Sequence, residues 1–130
     1  PIIGQFKYIK ILSSITVIES NSFEDLNCLI QIEIPLSVTE IKSFAFSGCS
    51  SLRSINIPQN VTVIGDNAFS KCTSFTEVII PESVHKIGAY AFCGCLKITQ
   101  LLLESRNTQL GENIILDCPQ LDNLTFKNTK

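Results

Sequence analysis

The sequence contains no methionine and a single histidine, and only 17% of its residues are charged. No lysine or arginine run occurs, and a formal net charge of -2 leaves no basic stripe to neutralise phosphates, which argues against nucleic acid as a partner. Apolar runs are only a few residues long, far short of the ~20 that a membrane-spanning helix needs, so no membrane insertion is expected in this segment. Glycines come singly, so no phosphate-cradling loop is present. The opening PIIGQFKYIK lacks the charged start, apolar stretch and small-residue cleavage site of a secretory signal. Together with the missing methionine and a last repeat that stops after ten residues, this leads us to expect a piece of a longer protein.

What is present is an apolar content of 45%, enough for one domain with a continuous core over residues 1–130, under a surface supplied mostly by Ser, Thr, Asn and Gln. The apolar residues keep a strict period. A frame of 23 residues starts at Phe6 and restarts at Leu29, Leu52, Phe75 and Ile98, with a partial repeat from Leu121. Such a period marks a leucine-rich-repeat solenoid, in which one coil cannot bury its apolar face alone.

The first, fourth and sixth places of the repeat are apolar, as in Leu52, Ile55 and Ile57, and the fourth and sixth alternate as in a strand. Pro35, Pro58 and Pro81 then end the strand. Val38/Ile41, Val61/Ile64 and Val84/Ile87 predict a second short extended segment, followed by Gly65, Gly88 and Gly111 as permissive turn residues. Ala45-Phe46, Ala68-Phe69 and Ala91-Phe92 lie in stretches long enough for one or two helical turns, with the phenylalanines stacking into a spine. The predicted fold is an α/β repeat solenoid: a right-handed leucine-rich-repeat coil with a parallel β-sheet on the concave face and short helical or irregular segments on the other side. The fifth repeat is degenerate, with Asn107 at an apolar place and Ile114-Ile115 in place of Ala-Phe.

Candidate chemistry is sparse. Four of the six cysteines, Cys49, Cys72, Cys95 and Cys118, share one place in the repeat, held by Leu26 in the first. A leucine substitute points to a ladder of small buried thiols. Disulfides between adjacent rungs and a metal site at the C-x-C of Cys93 and Cys95 are the alternatives. Cys93 shares its place with Ser47 and Ser70, which predicts the most exposed and reactive thiol. His85 shares its place with Thr39 and Thr62 and reads as a surface residue. The acids Glu24, Asp25, Asp66 and Asp117 are scattered, so no enzyme and no cofactor are expected. Sequons at Asn60 and Asn123 are glycan sites only if the chain is secreted.

The outward places of the strand are more informative. They bring Tyr8, Lys10, Gln31, Glu33, Ser54, Asn56, Glu77, Ile79, Gln100 and Leu102 into one mixed surface, and solenoids bind on such extended surfaces. Apolar Tyr8, Ile30, Ile79 and Leu102 among them mark a contact face, or else variable solvated positions.

The unit L-x-x-I-x-IP-x-x-V-T-x-IG-x-x-AF-x-x-C, traced from Phe6 to Gln120 and clearest over Leu29 to Leu96, resembles the BspA-like (Treponema pallidum type) leucine-rich repeat. The asparagine of ordinary leucine-rich repeats is replaced here by Ser14, Ser37, Asn60, Ser83 and Arg106. The resemblance implies a surface or secreted protein of bacteria or parasitic protists, an adhesin-like surface antigen contacting host, matrix or microbial proteins. It carries no catalytic residues over. An intracellular scaffold for protein–protein interaction is the competing expectation, favoured by cysteines that look reduced.

Overall fold

The computed structural model describes residues 5–127 as stacked coils that follow the 23-residue frame. Each coil contributes at most two short strands: β1 (Tyr8–Lys10) and β2 (Val17–Ile18), β3 (Gln31–Glu33) and β4 (Glu40–Ile41), β5 (Val63–Ile64), β6 (Glu77–Ile80) and β7 (Lys86–Ile87), β8 (Gln100–Leu103) and β9 (Gln109–Leu110), and β10 (Thr125–Phe126). Every pairing is parallel and joins residues one repeat apart, such as Val78 with Leu101 and Ile41 with Ile64. The second strands form one sheet in the order β2-β4-β5-β7-β9. The first strands do not. They divide into β1-β3 and β10-β8-β6, because residues 54–57 of the third coil form no strand.

The inward places carry the core. Leu52, Val61, Ile64, Ala68, Phe69, Cys72 and their equivalents in coils two and four are fully buried. Phe23, Phe46, Phe69 and Phe92 stack with centroids 5.3 to 5.4 Å apart, and Phe75 tilts against Phe69 at 6.0 Å. The expected spine is therefore present. The thiol ladder lies beside it: Cys49, Cys72, Cys95 and Cys118 each donate to the carbonyl of the phenylalanine in the preceding coil at 3.1 to 3.3 Å. A thiol suits this place because it is small, tolerates burial and still satisfies a carbonyl.

Of the short helical or irregular segments expected, the helical form does not occur; among the described residues there is no α-helix. The stretch around the phenylalanines is a run of tight turns. Two residues per coil have positive φ: Asn21 and Asp25, Phe44 and Gly48, Asn67 and Lys71, Tyr90 and Gly94, and Asn113 and Asp117. Each interrupts any right-handed run. Alternate N–H groups bond within the coil, as Ala45 to Lys42 and Ser47 to Phe44, while those between them reach the next coil, as Phe46 to Ala68 at 2.8 Å. Backbone groups thus find partners across coils, which removes the i to i−4 pattern of a helix.

The glycines of the IG element also play a different part from the one expected. Gly65 is not among the residues of positive φ; instead a Cβ on it would lie 2.6 Å from the Ser43 nitrogen and 2.7 Å from the Lys42 carbonyl carbon. Glycine is needed there for close approach of two backbones. In the degenerate fifth coil Asn107 is exposed, and Thr108 turns inward, its hydroxyl donating to the Val84 carbonyl at 2.8 Å.

Candidate functional site

The strand face is built by alternation. In β6 the side chains of Val78 and Ile80 enter the core while Glu77 and Ile79 stand outward, and β8 repeats this with Leu101 and Leu103 in and Gln100 and Leu102 out. Register then aligns equals, Glu77 beside Gln100 and Ile79 beside Leu102, with Thr125 following Leu102. On the other part of the face Tyr8 lies beside Gln31 and Lys10 beside Glu33. All ten residues expected on the outward face are exposed except Leu102, which is half-buried.

They do not form one continuous surface. Four stand on β1-β3, four on β6-β8, and Ser54 and Asn56 lie between them on the segment that forms no strand. Among the described residues, no backbone hydrogen bond joins 54–57 to either neighbouring coil; the nearest is from the Arg53 N–H to the Ile30 carbonyl at 3.3 Å. Ile55 and Ile57 nevertheless remain buried. Serine and asparagine are poor strand residues whose side chains compete for backbone groups, whereas the fourth and fifth coils offer Ile79 and Leu102 at the matching place.

Two depressions mark the surface. A small hollow of about 220 Å³ lies over Tyr8, Lys10, Gln31 and Glu33. A longer trough runs from the third coil toward the sixth. Its first part, about 290 Å³, is lined by Ser54, Asn56, Gln59, Glu77, Ile79 and Pro81. Its second, about 740 Å³, shares Gln59, Pro81 and Glu104 and adds Glu82, Ser83 and Lys127. Lys127 is bound to Glu104 at 3.2 Å, and among the described residues Glu77 and Glu82 have no ion-pair partner. The exposed apolar side chains nearest the trough are Ile79, 44% exposed, and half-buried Leu102; Tyr8, 66% exposed, stands at the opposite end.

The other candidates are structural. All six cysteines are free thiols. Burial pushes the Cys49 thiol up to about 12 and Cys72 well above the ordinary value. Cys95 is held up by its hydrogen bond to Cys118 and by burial. Cys93 is also raised, by desolvation and then by Asp117 and Cys118, and it is half-buried; the exposed thiol is Cys28. Cys93 is thus not the exposed thiol that its place in the repeat suggested; Ser47 and Ser70 at the same place are buried as well. His85 is exposed, as its place in the repeat implied. Asn60 donates from Nδ2 to the Leu36 carbonyl at 2.8 Å, and Ser37 and Ser83 bond preceding-coil carbonyls at 2.6 and 2.7 Å. The place of the ordinary repeat asparagine therefore keeps its bonding role with mixed side chains. No helix among the described residues is long and apolar enough to cross a membrane.

Comparison with known proteins agrees with this architecture. The model of the BspA type leucine rich repeat region matches residues 3–129 in six copies. No curated protein matches the chain. Among solved structures, the leucine rich repeat protein of T. pallidum is 28% identical, with a TM-score of 0.73 over 92% of this chain and 59% of that one. A leucine rich cell surface protein of Faecalibacterium prausnitzii is 24% identical, with a TM-score of 0.61 over 92% of this chain and 41% of that one. The pneumococcal vaccine antigen PcpA is 23% identical, with a TM-score of 0.81 over 97% of this chain and 31% of that one. The chain thus spans between 31% and 59% of the length of these proteins, and the last two show the fold alone. With a matching family model over nearly its whole length, the chain belongs to the BspA-type leucine-rich repeat family.

Proposed function

We infer that this chain is a non-enzymatic protein-recognition module of a cell-surface or secreted protein, with the outward strand face as its contact surface. One observation carries the reading: in-register Ile79 and Leu102 leave exposed apolar area on a mostly polar face. The surface location is supported by the relatives, one described as a cell surface protein and another as a vaccine antigen. Substituting Glu77, Ile79, Gln100 and Leu102 together by serine is expected to weaken partner capture at least tenfold, and to change stability by no more than about 0.5 kcal/mol per residue, since all four point away from the core. Capture is measured by pull-down from host or microbial surface extracts, and an intact fold with undiminished capture would remove this face from the account.

A second reading, an intracellular scaffold of the same architecture, is favoured by six free thiols. Antibody labelling of intact against permeabilised source cells separates the two: labelling only after permeabilisation supports the scaffold and makes glycans at Asn60 and Asn123 irrelevant.

A further inference from the structure

We propose that the third coil is an opening in the strand face, and that the trough beside it seats an extended, lysine- or arginine-bearing segment of a partner protein, held partly through its main chain. This deepens the protein-recognition reading and rests on it. Three observations converge. Residues 54–57 hold their backbone N–H and C=O groups out of both neighbouring ladders, although every other coil on this face pairs with a neighbour. Backbone groups left out of the ladders are open to a partner, and an extended peptide supplies donors and acceptors at the spacing of a strand. The trough begins at these residues and continues past Ile79 and Pro81 to Glu104 and Lys127.

Charge selects the kind of segment. The trough carries Glu77, Glu82 and Glu104, and among the described residues its one cation, Lys127, is already bound to Glu104. Two carboxylates are left to attract cations, and an acidic segment is repelled. Side chains of an extended segment alternate in direction, so a cation turned toward Glu77 leaves its neighbours free to reach solvent or to cover Ile79. The hollow over β1-β3 offers no equivalent, because Lys10 stands beside Glu33 and the strands there are paired.

The test uses a short blocked peptide of alternating lysine and threonine, titrated into the labelled protein and followed by backbone amide shifts at low salt. The expected result is saturable shifts at 54–57, Glu77 and Ile79 with β1 unmoved. A Glu/Thr peptide and a Lys/Thr peptide N-methylated at alternate residues should each bind at least about tenfold more weakly, ~1.4 kcal/mol. Glu77→Gln with Glu82→Gln should weaken the Lys/Thr peptide, and Ser54→Val with Asn56→Val, which favours a paired strand, should abolish the shifts at 54–57 while amides of β5 and β7 stay in place. Shifts spread equally over β1-β3, or indifference to N-methylation or to the sign of the peptide, would overturn the proposal. Should the peptide fail here while the four-residue variant still loses partner capture, the recognition face stands and the opening falls; should the peptide bind as expected while that variant keeps its partner, the opening stands and the wider face falls.

Discussion

The same coils build two sheets, and only one of them is continuous. On one side β2, β4, β5, β7 and β9 pair through every coil although each is two residues long; on the other, strands of up to four residues break at the third coil. Strand length therefore does not decide continuity. The unbroken sheet is followed by the close-approach glycines: Gly65, Gly88 and Gly111 donate to Ile41, Ile64 and Ile87 at 2.7 to 2.8 Å, extending each short pairing by one bond. On the strand face the matching bond forms only late, from Glu104 to Ile80 at 3.0 Å and from Lys127 to Leu103 at 2.9 Å; Pro58 and Pro81 have no N–H to donate, and Ser54 and Asn56 leave the ladder while Leu52, Ile55 and Ile57 stay packed. Core burial fixes the coil spacing, and the ladder follows only where the local residues support it.

Removing what both sides share should have the largest effect. Phe69→Ala takes out the ring that stacks on Phe46 and Phe92 and meets Phe75, and should cost ~3–5 kcal/mol in denaturant unfolding, with protection lost on both sheets together. Gly65→Ala attacks the continuous sheet alone. Its Cβ would meet backbone, so a loss of ~1–3 kcal/mol is expected, with β4 and β5 loosened more than β6 and β8.

High pH should weaken both sheets together, because the thiol ladder belongs to the one core that both share. The folded Cys49 thiol is pushed from 9.0 up to about 12, so the fold favours its protonated form. That contribution is complete below pH 9 and is lost as pH rises toward 12, which denaturant midpoints at pH 7 and pH 10.5 would register as a fall. Cys49→Ala should flatten the dependence. The smallest effect sharpens the comparison: Ser54→Val with Asn56→Val should raise stability by about 1 kcal/mol or less, by joining β3 to β6 through a paired third coil. An unchanged midpoint with no new protection would mean that something other than these two side chains keeps the strand out.

Much of this was legible in the sequence, because burial is periodic. The 23-residue frame placed the inward residues, the phenylalanine spine, the buried thiols and the outward residues of the strand. The turns were only partly legible: seven of their ten positive-φ places hold Asn, Asp or Gly, but Phe44, Lys71 and Tyr90 interrupt the signal. Ala-Phe pairs read equally as helix. The glycines at 65, 88 and 111 looked like turn residues, because a need for close approach and a need for positive φ leave the same letter. The candidate surface was legible residue by residue but not as an arrangement: Ser54 and Asn56 fit the outward pattern, and only the hydrogen bonds show that their coil leaves the sheet. Cys93 was misjudged because Ser47 and Ser70, which made its place look like a surface one, are themselves buried.

The break at the third coil is tested most directly by amide hydrogen exchange under native conditions. The account predicts fast exchange at Ser54, Ile55, Asn56 and Ile57, set between protected amides in β6 and β8 on the same face and in β5 within the same coil. Protection at those four residues equal to that of Val78 and Leu101 would show a continuous strand face and contradict it.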